Sequence, residues 1–153
     1  MFQKKIILIL LLLLSSCGYE AIHSKKNSIN YSFSVSELSF IGDRTVNLKI
    51  KEKINNYTQS KKDKDFILKI SSTSEKIILA KNTAGDATSF KNTISINVEV
   101  MMSNKIKDNF IILESFNYNN TSNKFNLKKY EEEIKNNLAE TATDKLIFKL
   151  SNI

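Results

Sequence analysis

Proline and tryptophan are absent from this chain, and it has only three glycines, one cysteine and one histidine. A single thiol cannot form an internal disulfide, so the fold is not a disulfide scaffold. His23 has no second histidine with which to share a metal, and no HExxH, Gly-x-Ser-x-Gly elbow or Gly-rich phosphate loop occurs. A hydrolase built from scattered Asp and Glu is therefore a minor hypothesis, and neither a catalytic nor a metal residue is assigned. With only Gly18, Gly42 and Gly85 available, turns must be made by Asn, Asp and Ser, which tolerate left-handed backbone.

What is present begins at the N-terminus. Lys4 and Lys5 precede an apolar run, Ile6 to Leu14, which ends in Leu14-Ser15-Ser16-Cys17. The run is about nine residues long, against the roughly 20 needed to cross a bilayer as a helix. It reads as a cleaved export signal, 1–16. Leu, two small residues and the sole cysteine form a bacterial lipobox, in which Cys17 takes a diacylglycerol thioether, the peptide is cut before it and the new amine is acylated. The alternative is an ordinary signal with a chance cysteine. Each buried methylene contributes about 0.8 kcal/mol, so two or three acyl chains would hold the protein firmly to a membrane. Gly18, where a retention signal would have Asp, points to the outer membrane by the enterobacterial sorting rule. No cofactor is expected beyond the covalent diacylglycerol and N-acyl lipid on Cys17.

Removing residues 1–16 leaves 153 − 16 = 137 residues, one domain's worth. The formal charge of +7 includes Lys4 and Lys5, so the mature chain carries 7 − 2 = +5. That balance suits an anionic partner such as nucleic acid, phospholipid or lipopolysaccharide. Export argues against nucleic acid. The abundance of Lys, Asn and Ile is also what an A+T-rich genome would give, so the lysines can equally be ordinary solvated surface.

Residues 17–28 lack periodicity and read as a lipidated tether to a domain over 29–153. Ile29, Tyr31, Phe33 and Val35 alternate with polar residues, a first strand, and the apolar phase slips near Ser36 and Glu37, suggesting a bulge or the strand's end. Gly42-Asp43 reads as a turn and helix N-cap, followed by Val46, Ile50, Ile54 and Tyr57 on one helical face. Phe66, Leu68 and Ile70 open a second strand continuing toward Leu79, and 80–89 reads as a loop. Phe90, Ile94, Ile96, Val98, Val100 and Met102 mark a third strand of roughly 40 Å. After a polar connection over 103–109, Phe110, Ile112, Glu114, Phe116 and Tyr118 mark a fourth. With a cap expected at Asn126, Leu127, Tyr130, Ile134, Leu138 and Ala142 give a final helix. Glu131, Glu132 and Glu133 in its early turns read as a solvated face, because adjacent helix positions diverge by about 100° and cannot converge on one ion. The order β-α-β-β-β-α predicts an α+β fold, two helices packed on one face of a four-stranded, mostly antiparallel sheet.

Several stretches together resemble one family. Cys17-Gly18-Tyr19, a first strand leading to Gly42-Asp43-Arg44 and a helix, Ala84-Gly85-Asp86-Ala87-Thr88-Ser89-Phe90 opening a long strand, Ser115-Phe116-Asn117-Tyr118, and an acid-rich helix with Leu138-Ala139-Glu140 are similar to the lipopolysaccharide-assembly lipoproteins, the LptE (RlpB) family. The resemblance implies a non-enzymatic lipoprotein, anchored on the periplasmic side of the outer membrane. Such a protein plugs and helps assemble the β-barrel LptD, one to one, and binds lipopolysaccharide on its way to the outer leaflet. It also implies cationic contacts to lipid A phosphates. Lys81 and Lys91, flanking 80–89, and Lys128, early in the last helix, are the candidates, although Lys91 and Thr88-Ser89 stand where the family often has an arginine. The rival reading is a lipoprotein accessory subunit of another envelope lipid-transport or barrel-assembly complex.

Overall fold

The computed structural model describes residues 32–58 and 61–153. The lipobox with Cys17, the tether and the strand positions Ile29 and Tyr31 lie outside the described residues. Seven segments follow in order: β1 (Phe33–Gly42), α1 (Arg44–Ile54), a 3-10 turn (Asn55–Tyr57), β2 (Lys64–Lys81), β3 (Ala87–Met102), β4 (Lys105–Asn119) and α2 (Lys124–Ser151). The strands lie in the spatial order β1-β2-β3-β4. β2, β3 and β4 form antiparallel hairpins, whereas α1 carries the chain back so that β1 and β2 run parallel. The result is the expected α+β arrangement.

The alternation of apolar residues sets which face is covered. Phe66, Leu68 and Ile70 of β2, Ile94, Ile96, Val98 and Val100 of β3, and Phe110 and Ile112 of β4 are buried beneath the helices. α1 contributes Val46, Ile50 and Ile54 to that layer, and Leu48, off the stripe, is exposed. α2 contributes Leu127, Ile134, Leu138, Ala142, Leu146 and Leu150. Tyr130, expected on that stripe, is 43% exposed at the rim. The residues between these, such as Lys69, Thr73, Thr93 and Ile111, fall on the sheet's other face, which nothing among the described residues covers.

The phase slip in β1 is a bulge: the pairing shifts between Val35 and Glu37, and the strand continues to Gly42. Turn chemistry follows the Asn-rich composition. Ser103 and Asn104 adopt φ of 52° and 60°, a two-residue hairpin where a longer connection was expected. At the β2–β3 turn, the Asn82 side-chain oxygen accepts from the amides of Ala84 (3.0 Å) and Asp86 (2.9 Å). The expected loop over 80–89 is therefore shorter, because both flanking strands pair almost to the turn, with Ala80 opposite Ser89 and Lys81 opposite Ala87.

The helices are tied to each other by charge. Asp43 caps α1, accepting from Thr45 N at 3.0 Å and Val46 N at 3.1 Å, and Lys135 of α2 donates to it at 2.6 Å. Lys53 at the other end of α1 meets Asp144 at 2.6 Å and Glu140 at 3.2 Å. Burial pushes the Asp43 carboxyl up, but the Lys135 ammonium and the capping amides outweigh it and hold the group below its ordinary value of 3.8. The ionised form is thus favoured by folding. Its contribution is complete above the ordinary carboxyl range and is lost as pH falls through the depressed native value. Asp43→Asn keeps a cap but loses the ion pair; we expect a loss of about 1 kcal/mol at pH 7 and a flatter fall in stability below pH ~4, read from urea unfolding across pH.

Candidate functional site

The 82–86 turn stands at one end of the sheet, close to the Lys81 position that sequence reasoning associates with an anionic ligand. β2 and β3 project there as a hairpin, and α2 begins beside it. Asn123 caps α2, accepting from Asn126 N at 3.0 Å, so the helix starts earlier than the cap expected at Asn126. An open cleft of about 670 Å³ lies between the hairpin and this helix start, lined by Asn82, Asp86, Thr88, Phe90, Asn120 and Lys124. The Asn120 amide donates to Ala87 O at 2.6 Å, and Lys124 Nζ donates to Asn120 Oδ1 at 3.3 Å.

The three lysines do not converge. Lys81 ends β2 at the hairpin and is exposed. Lys91 pairs with Ile77 and Asn117 on the uncovered face of the sheet, between the buried Phe90 and Asn92, and is half-buried. Lys128 is exposed on α2, which packs on the opposite face. Lys81 and Lys91 can therefore share one surface along the hairpin, and Lys128 faces the other side.

Two cations that the spacing did not single out contact the cleft or its lining. Lys124 lines it directly. Lys76 lies 4.0 Å from the centre of the Phe90 ring and 2.5 Å from Glu131 Oε1. The Tyr118 hydroxyl donates to the same carboxylate oxygen at 3.0 Å. Glu131 therefore turns inward, its side chain only 21% exposed, while Glu132 and Glu133 face solvent. The solvated-face reading holds for two of the three acids. Burial, together with the hydrogen bond and charge of Glu131, pushes the Tyr118 phenol well above its ordinary value of 10.0, so it remains a donor at any physiological pH. This cluster ties β2, β3 and β4 to the start of α2. Among the described residues, no group of three or more His, Cys, Asp or Glu side chains is placed to hold a metal ion.

No family model matches the chain. No curated protein matches it either. Solved structures do share its fold. Rare lipoprotein B from Shewanella oneidensis superimposes with a TM-score of 0.61 at 12% identity, over 76% of this chain and 94% of that one. A minor lipoprotein from Acinetobacter baumannii gives 0.61 at 11% identity, over 80% and 92%. An uncharacterised lipoprotein B from Nitrosomonas europaea gives 0.56 at 14% identity, over 79% and 86%.

Proposed function

We propose that this chain is an outer-membrane lipoprotein, anchored on the periplasmic side through the diacylglycerol thioether and N-acyl group of Cys17. In this reading it plugs and helps assemble the LptD β-barrel, one copy to one barrel, and binds lipopolysaccharide during its insertion into the outer leaflet. The observation that carries the reading is a coincidence of two independent features. The lipobox ends in the chain's one cysteine, and the folded part has the architecture of solved bacterial lipoproteins over most of both chains. A two-layer domain without a metal-ligand cluster among its described residues, and with a polar hairpin end, suits a binding and scaffolding role. The contacts to lipid A phosphates would come from Lys81 and Lys91 along the hairpin, with Lys128 contributing from α2, each acting as a point charge on a rigid element.

The deciding experiment is a pull-down through a C-terminal tag after gentle detergent extraction. Recovery of a heat-modifiable outer-membrane barrel in roughly equal amount supports the reading. Recovery alone, or with inner-membrane transporter subunits, overturns it and favours an accessory role in another envelope complex. For the ligand, Lys81→Glu together with Lys91→Glu is expected to weaken binding of purified lipopolysaccharide about tenfold, a loss of about 1.4 kcal/mol. Unchanged binding would remove the hairpin lysines from the site.

A further inference from the structure

α2 is held unevenly along its length. From Ile134 onward every turn sets apolar residues into the core, among them Leu138, Ala142, Leu146 and Leu150. The ion pairs that join α2 to α1 and to the middle of β4 also lie there: Lys135 with Asp43, Glu140 and Asp144 with Lys53, and Lys145 with Glu114. The turns before Ile134 have little of this. Over 124–133, Leu127 alone is buried, while Phe125 and Tyr130 are 78% and 43% exposed. What stands in for a core there is the carboxylate of Glu131, which accepts from Lys76 of β2 at 2.5 Å and from the Tyr118 hydroxyl of β4 at 3.0 Å.

The same stretch has a fixed point at each end. Asn120 is pinned to β3, its backbone N–H donating to Thr88 O at 2.8 Å and its side chain to Ala87 O at 2.6 Å. Ile134 begins the packed part of the helix. We propose that residues 121–133 are a strap that swings off the end of the sheet as one unit between these two points, with Glu131 as its latch. Cooperative local opening is expected where buried apolar contact is sparse and firmly packed structure bounds the segment. The latch is charge-assisted on the Lys76 side, so it depends on the charge of Glu131. What the strap covers is specific. Tyr118 and Phe90 are buried with ring centres 5.5 Å apart, and Tyr130 of the strap meets Tyr118 edge-on at 6.1 Å. Phe90 also lines the cleft beside the 82–86 turn, whose other walls are mostly polar and include Lys124 of the strap. Opening therefore joins an aromatic floor to a polar cleft, and a ligand with an apolar group would select the open state. The strap follows from the chain's own contacts and does not rest on the outer-membrane reading.

The test is hydrogen exchange of the full chain in mild detergent, resolved residue by residue along α2 and expressed as protection factors. The amides of 128–133 are expected to be at least tenfold less protected than those of 138–150, and to share one common value. Glu131→Gln, which keeps the shape of the side chain and removes its charge, should lower protection over 128–133 about tenfold further and leave 138–150 unchanged. Glu132→Gln removes a charge at nearly the same distance from the helix N-terminus, on the exposed side, so it has the same effect on the helix dipole without touching the latch. It should change protection over 128–133 by less than twofold. Protection that rises steadily from residue 128 inward would be ordinary end fraying and would overturn the proposal. Equal protection along the whole helix, a Glu131→Gln variant indistinguishable from Glu132→Gln, or one that loses protection over 138–150 by the same factor would each overturn it as well.

Discussion

Gly42→Ala is expected to destabilise the protein by about 3–5 kcal/mol, the sum of backbone strain and overpacking, and so to leave little folded chain at 37 °C. Gly42 has φ of +100°, where a side chain is strained in any surroundings, and a Cβ built there would lie 1.9 Å from Ser72 O. That oxygen belongs to backbone and cannot swing aside. It is also the acceptor for Asp43 N at 3.0 Å, and Ser72 Oγ donates to Asn47 Oδ1 at 2.7 Å. Moving it would disturb the last pair of the β1–β2 ladder and the cap of α1 together. The Ala substitution at Gly85 provides the contrast. Its φ is +89° but no heavy atom lies within 4 Å of the added carbon, so only the conformational cost of about 1 kcal/mol remains. Urea unfolding of the two variants separates these cases; equal losses would show that the approach to Ser72 is unimportant.

Phe66→Ala should cost about 3–5 kcal/mol, the range for a fully buried aromatic ring whose site cannot collapse. Phe66 has no exposed surface, and its ring centre lies 5.8 Å from that of Phe33, which in turn stacks on Tyr57 at 4.8 Å. Removing Phe66 therefore unsettles the start of β1 and the turn after α1, both held by the same rings. Phe148→Ala, at a position 64% exposed, should change monomer stability by no more than about 0.5 kcal/mol. Denaturant midpoints that fall by similar amounts in both would contradict this division between core and surface.

The covered face of the sheet was legible because its two-residue alternation coincides with helix cover. Phe66 to Ile70 and Ile94 to Val100 are buried on every second residue. Beyond that cover the strand was legible toward Leu79, and only Ala80 and Lys81 were assigned to the loop. Ile77, Ile78 and Leu79 are all exposed, so no alternation survives, and β2 is carried to Lys81 by its hydrogen bonds to β3. The strand character of 87–89 was hidden for the same reason. Glu131 was misread because its partner Lys76 lies 55 positions away, a distance at which helix spacing says nothing. The separation of the candidate lysines, in contrast, was readable in part. Lys91 sits between two buried neighbours, Phe90 and Asn92, and must point away from the helices. Proximity along the chain to the 82–86 turn could not convey that.

The parallel pairing of β1 with β2 also sets the reach of the molecule. Phe33, where the domain joins the segment leading back to Cys17, is opposite Lys64, at the start of β2. The hairpin tip at 82–86 follows the far end of the same strand, 18 residues on and about 60 Å away. An antiparallel β1 over the same span would have put the entry point opposite Ser72, about 25 Å nearer the tip. As built, the residue at which the described domain begins and the tip of the β2–β3 hairpin lie at opposite ends of β2, so any ligand that binds at the tip is held far from the point of entry.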